Sequence, residues 1–185
     1  MSLSKIEIVN KALHHLGVER INDLTDNNKR AKVMSDIYDI TRKTVLEDHV
    51  WPFAKKRSEL AALATTPDFG YEYEFNIPSD FLTGVKEENG YEYVQEGSKF
   101  LSDSDTLQLV YIYDIQDVAK FSPGFVEAFA LRLAHDSCYS ITQSKELMAD
   151  LWDGYKDELS HARYRQDRGQ SAVDPVVDSW INVRL

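Results

Sequence analysis

Gly70-Tyr71-Glu72-Tyr73-Glu74-Phe75-Asn76-Ile77 and, further on, Leu107-Gln108-Leu109-Val110-Tyr111-Ile112-Tyr113 decide the fold. In both stretches large apolar side chains recur at every second position, the period of a strand with one face buried. Ile77-Pro78-Ser79-Asp80-Phe81 breaks the first stretch. Between the two, Tyr91, Tyr93 and Val94, then Gly97-Ser98, then Lys99-Phe100-Leu101 read as a hairpin. This region is therefore expected to form a small antiparallel sheet, with Asp103-Ser104-Asp105 as a polar turn between strands.

Outward from that region the apolar period is helical. Ile6, Val9, Leu13 and Leu16 recur at spacings of three and four, which predicts a helix from about Lys5 to Leu16. Ser4 with Glu7 is a capping box for its start, and Gly17 supplies a left-handed residue for its end. Val18 to Asp26 has apolar Ile21 and Leu24 without a helical period and reads as a packed loop. A second helix is expected from about Asn28 to His49, with Met34, Ile37, Tyr38, Thr41, Val45 and Leu46 inward, ended by Trp51-Pro52. Ser122-Pro123 opens a third helix through Phe125, Phe129, Leu133 and Cys138 to about Ser140. A fourth, from about Ser144 to Arg168, carries Leu147, Leu151, Tyr155, Leu159 and Ala162, and closes with Arg163, Arg165 and Arg168 at its negative end. Beyond Gly169 no period remains, yet Pro175, Val176, Val177, Trp180 and Ile181 make the tail too apolar to be merely solvated, so it is expected to dock on a partner.

Charge follows the same division. Residues 68–117 hold twelve carboxylates and only two bases, Lys86 and Lys99, a balance of −10 that equals the net charge of the whole chain. The remaining residues are neutral in sum. A nucleic-acid binder would carry a basic footprint, which this chain lacks. The expected fold class is α+β, mainly α: an antiparallel helical bundle (1–67 and 118–168), an inserted acidic antiparallel β-subdomain (68–117) and an extended C-terminal docking tail (169–185). With 185 residues and 43% hydrophobic content the chain has the usual size of one domain able to bury a core. No run approaches the roughly 18 apolar residues of a membrane span, and Met1-Ser2-Leu3-Ser4-Lys5 leads directly into an amphipathic segment, which argues against a secretory leader. The single Cys138 fits a reducing compartment.

The search for chemistry returns weak patterns. Glu158-Leu159-Ser160-His161 has a Glu-x-x-His spacing, but a di-iron site needs a second such pair and two further glutamates. His135 and Cys138 lie three apart on a helix without a Gly-rich turn or elbow to supply oxyanion donors. His14 and His15 are adjacent on a helix and so diverge by about 100°. No catalytic, metal or cofactor-binding residue is assigned, and no enzymatic activity is expected. The one basic cluster, Lys55-Lys56-Arg57, reads as a solvated helix-to-strand junction. It is also a candidate to meet an acidic partner surface, including the acidic sheet of a neighbouring copy, in the head-to-tail manner that closes rings.

Several stretches resemble the head-to-tail adaptor, or tail tubular protein A-like, family of short-tailed phages. They are Ala12-Leu13-His14-His15-Leu16-Gly17 with Ile21-Asn22-Asp23-Leu24, and Val45-Leu46-Glu47-Asp48-His49-Val50-Trp51-Pro52-Phe53-Ala54-Lys55-Lys56-Arg57. Tyr71-Glu72-Tyr73 with Ile77-Pro78-Ser79-Asp80-Phe81-Leu82, and Phe125-Val126-Glu127-Ala128-Phe129-Ala130 with Leu133-Ala134, continue the likeness over most of residues 10–165. The resemblance implies a structural virion protein, present in the bacterial cytoplasm during assembly. It implies a ring, typically twelve-fold, between the portal protein and the tail nozzle protein, through which DNA passes without specific binding. Pro175, Val177, Trp180 and Ile181 would then belong to a portal-docking arm. Glu72, Glu74, Glu87, Glu88 and Glu92 would line the channel and repel DNA phosphates if the acidic sheet faces the lumen. Two other readings stay open: a tail-associated cell-wall-degrading enzyme using a carboxylate pair, and a helical binding module of the bacterial host.

Overall fold

A computed structural model describes residues 3–169 of the chain. Its elements are α1 (Lys5–His15), α2 (Lys29–Glu47), β1 (Lys55–Ala61), β2 (Tyr73–Asn76), β3 (Phe81–Glu87), β4 (Tyr93–Glu96), β5 (Lys99–Ser102), β6 (Thr106–Tyr113), α3 (Pro123–Thr142) and α4 (Lys145–Gly169). The helix starts are set by side chains that satisfy orphan backbone donors. Ser4 and Glu7 form the reciprocal capping box, Asn28 accepts from the Ala31 amide at 2.9 Å, and Ser122 caps α3 with Pro123 in its first turn. Gly17, at φ +67°, ends α1 as its sequence position predicts. The loop to α2 is packed because the Asn10 side chain donates to the Ile21 carbonyl and accepts from the Ile21 amide, both at 2.9 Å, which seats Ile21 in the core.

The expected antiparallel bundle with one inserted β-domain is not what the chain forms. Four helices are joined to two three-stranded antiparallel sheets, ordered β1-β6-β3 and β2-β5-β4, in an α+β fold. Two facts overturn the expectation. First, α1, α2 and α4 each pack on α3, which is apolar on several sides, so the helices gather around a hub. Second, β6 is buried on both faces. Leu107, Leu109 and Tyr111 join Phe75 and Phe100 in a core between the sheets, while Ile112 lies in the helical core with Trp51, Phe125 and Phe129. The first sheet is thus a shared wall and not part of a detached insert. Its outer strand β1 precedes the acidic region and pairs with β6 along its whole length, from Lys55 opposite Ile112 to Ala61 opposite Thr106.

Strand β3 pairs with β6 through two register shifts, between Phe81 and Thr83 and between Gly84 and Lys86. The shifts send Phe81 into the inter-sheet core and Leu82 and Val85 toward the helices. Gly84 lies close against Tyr93 of the second sheet: an added Cβ would lie 2.2 Å from the Tyr93 hydroxyl. The hairpin β4-β5 turns at Gly97, φ +56°, as expected from Gly97-Ser98.

Helices and sheets are locked together by Arg42 of α2, whose side chain is 2% exposed. Its guanidinium donates to the Asp114 carboxylate and, at 2.7 Å, to the Ile115 carbonyl, while Asp39 lies 3.5 Å from Nε. Burial alone pushes the Asp114 carboxyl up, but the hydrogen bond and charge of Arg42, with Lys43 nearby, prevail and hold it below the ordinary carboxylate range. A carboxyl lowered in the folded state contributes stability that is full above its unfolded value and is lost as pH falls through the folded one. Arg42→Ala, which strands Asp114, is expected to cost about 3–5 kcal/mol in urea unfolding and to flatten the loss of stability below about pH 4.

Candidate functional site

The inward row of α4 is Leu151, Tyr155, Leu159 and Ala162, all buried. The Tyr155 hydroxyl donates to Asp48 at 2.6 Å, and burial followed by that carboxylate pushes its pKa far above the ordinary phenol range. One row further out, Lys145, Met148, Ala149 and Trp152 of α4 face Arg132, His135 and Tyr139 of α3 across an open depression of about 860 Å³. Its walls are mostly carbon, and none of the described residues lining it is acidic. Tyr139 is 54% exposed and Trp152 37%. The depression is preorganised. Arg132 is gripped by both Asp136 oxygens at 3.1 Å and stacks 5.0 Å over the Trp152 ring, while His135 lies against the same ring at 5.0 Å with its Nδ1 2.8 Å from Asp136. Asp136 is itself tied to α2 by the Thr41 hydroxyl at 3.2 Å.

Aromatic side chains beside an adaptable methionine, with a cationic rim, have the composition of a protein-contact surface. A second cleft, about 580 Å³, opens where Ser122, Pro123 and Gly124 begin α3, beside His49 and Trp51. It is bridged by the Arg165–Glu158 ion pair at 2.5 Å. That pairing uses the Glu158 carboxylate of the Glu-x-x-His spacing, and among the described residues no group of His, Cys, Asp and Glu could hold a metal ion. Cys138 is buried and contacts Thr142 and Ser144 at 3.3 and 3.5 Å, whereas His135 turns to Asp136, so the two do not form a nucleophile and base. His15 points at Glu127, which Lys11 also pairs, an α1-to-α3 clasp in which Lys11 first and then the His15 contact outweigh burial and lower the carboxyl. No helix among the described residues is long and apolar enough to cross a membrane.

The basic cluster lies on β1, and two of its three cations are engaged within the chain. Lys56 Nζ is 2.6 Å from Asp80, and Arg57 is 3.0 Å from Glu88, which Lys86 also pairs at 2.9 Å; Lys55 makes no ion pair among the described residues. Of the five acids singled out in the sequence, three do internal work. Glu74 accepts from Thr65 at 3.0 Å, Glu87 accepts from the Tyr91 and Gln108 amides at 2.9 and 3.1 Å, and Glu88 pairs as above. Glu72 and Glu92 are exposed, with no side-chain partner among the described residues. The structure therefore divides these five residues instead of gathering them into one lining. Pro175, Val177, Trp180 and Ile181 lie outside the described residues.

Sequence reading missed the α3–α4 depression, although a signal was present. Met148 and Trp152 stand four apart, as a second apolar row beside the buried stripe. The exposed Phe69 of the β1–β2 loop was missed as well. No known family model matches the chain, and no curated protein does.

Asp80, just before β3, binds Lys56 of β1 and Tyr111 of β6. Burial raises its carboxyl, but Lys56 and the Tyr111 hydroxyl, which donates at 3.0 Å, lower it on balance; Tyr111 is correspondingly raised by burial and by Asp80. Asp80→Ala removes the acceptor of the Tyr111 hydroxyl. It is expected to lower stability by about 1–3 kcal/mol and to bring the titration of Tyr111, followed by tyrosine absorbance against a Tyr111→Phe control, to lower pH.

Proposed function

We propose that the chain is a structural subunit of a tailed-phage or prophage particle, and not an enzyme. Copies would stand side by side in a ring between the portal and the tail, leaving a passage for DNA. The observation that carries the reading is the α3–α4 depression, a rigid aromatic surface with a cationic rim, fit to receive a side chain of another protein. The stretches that resemble phage adaptors also support it, because they meet in space. Trp51 and Phe53 of one stretch each lie 5.2 Å from Phe125 of another, and Asp80 of a third pairs with Lys56. Residues that carry a likeness and also build one junction are under a common structural constraint.

In such a ring the acid-rich second sheet, with Glu72 and Glu92 free in solvent, would repel phosphates wherever it approached the passing duplex. The segment 172–185, with Pro175, Val177, Trp180 and Ile181, would serve as the arm that holds the portal, since buried aromatic anchors are frequent hot spots. The protein would be found in the virion, and in the bacterial cytoplasm before assembly.

Light scattering after size exclusion, on the chain alone and mixed with the portal protein of the same phage or prophage genome, tests this. The expected result is a ring-plus-portal mass that is lost on deleting residues 172–185 while the circular dichroism of the helices stays unchanged. Absence of association at any salt concentration would sink the adaptor reading.

A further inference from the structure

An exposed aromatic loop tip and the α3–α4 depression are complementary. One is a knob. The loop from β1 to β2 is held at both feet: the Ala62 and Leu63 amides donate to the Asp105 and Glu74 carbonyls at 3.4 and 2.8 Å. Thr65 donates to the Glu74 carboxylate at 3.0 Å, and the Glu72 amide donates to Asp103 at 3.2 Å. From these fixed feet the tip, Pro67-Asp68-Phe69-Gly70, stands out, with Gly70 at φ +93° and Phe69 88% exposed. Asp68 is exposed and makes no ion pair among the described residues. The other feature is the α3–α4 depression, with Trp152 and Tyr139 in its walls and Lys145 at its rim. Lys145 is exposed and has no ion pair among the described residues.

We infer that Phe69 of one copy seats in the α3–α4 depression of the next, with Asp68 facing Lys145, so that the contact runs head to tail. This rests on the ring reading and names the surfaces that would join its members. A phenyl ring left in water by an otherwise ordered loop is costly, and its removal from solvent against Trp152 and Met148 gains both burial and ring-edge contact. The signs of charge agree, because the knob projects from the acidic part of the chain and the depression has a cationic rim with no acid lining it. Knob and depression belong to different elements, so each subunit offers one of each, which is the requirement for a contact that repeats around a ring. One aromatic anchor covers about 150–250 Å², well below the ~1,200 Å² of a stable pair, so the free chain should associate weakly and close its ring on the portal template.

The test uses the full chain with benzoylphenylalanine in place of Phe69, irradiated at sub-millimolar concentration, with adducts mapped by peptide mass spectrometry. The expected outcome is a ladder of covalent species beyond the dimer, each adduct linking position 69 to residues 132–152 of another copy. In sedimentation equilibrium Phe69→Ala and Ala149→Asp, both at exposed positions, should each weaken self-association roughly tenfold or more. Asp68→Lys should weaken association likewise, and adding Lys145→Asp should restore it by placing opposite charges at the contact again. A ladder whose adducts map elsewhere, with association indifferent to Phe69→Ala, would overturn this contact while leaving the ring reading in place. Adducts that stop at the dimer would overturn its head-to-tail form. Loss of association on deleting residues 172–185, with Phe69 unreactive, would give the depression to the tail of another copy and equally overturn the inference. No association of the chain with itself or on the portal would remove the ring reading as well.

Discussion

A guanidinium without water must be met by charge, and Arg42 meets this condition where the helices adjoin the first sheet. Its partners, Asp114 and the Ile115 carbonyl, lie just past the end of β6. Holding them fixes where that strand leaves the first sheet, and hence which of its side chains face the helices and which face the second sheet. A slip of one residue would exchange Ile112 with Tyr111 and turn both cores inside out. The salt bridge gives the fold its register. The attraction between the two charges is offset in large part by the cost of burying them, so its value lies in the arrangements it forbids.

Around that fixed strand the remaining elements carry little freedom of their own. Trp51 donates its indole hydrogen to the Val45 carbonyl at 2.8 Å, which closes the end of α2 and places the ring edge-on to Phe125 at 85°. The helical core is therefore tied to the chain segment that leads directly into β1, and β1 is tied to β6. The acidic residues follow a similar logic. Asp80, Glu74, Glu87 and Glu88 neutralise cations or cap amides within the sheets, so the charge presented to a partner is smaller than the composition suggests and comes mainly from loop tips and from β4.

Much of this was legible in the sequence where a local rule had a local cause. Capping boxes, the Ser-Pro start of α3, the Gly97 hairpin and the alternation of β6 all depend on residues within a few positions of one another. Strands β1 and β3 were illegible for physical reasons. Lys55 to Ala61 is an exposed edge whose charged side chains blur any alternation, and Phe81 to Glu87 is bulged, so its apolar residues change faces midway. The bundle expectation failed because Leu107, Leu109 and Tyr111 were read as the one buried face of β6, although Val110 and Ile112 on its other face are buried too. Arg42, a charged residue in the helical run from Asn28 to His49 outside its apolar stripe, is a core residue. At the candidate site, the buried stripe of α4 drew attention from Met148 and Trp152, which share no sequence neighbourhood with their partners on α3.

The position of the hub helix along the chain has a consequence for how the protein is made. α1 and α2 leave the ribosome with apolar faces that find their main partner only when residues 123–142 follow, on the order of ten seconds later at ordinary rates of synthesis. Helices of 11 and 19 residues are marginal alone in water. The nascent N-terminal half is therefore a natural client for chaperones. The aromatic depression is built from α3 and α4, the two helices that follow all the other described elements, so a chain acquires that surface only when the hub of its core is present, and shorter nascent chains are kept out of any assembly that depends on it.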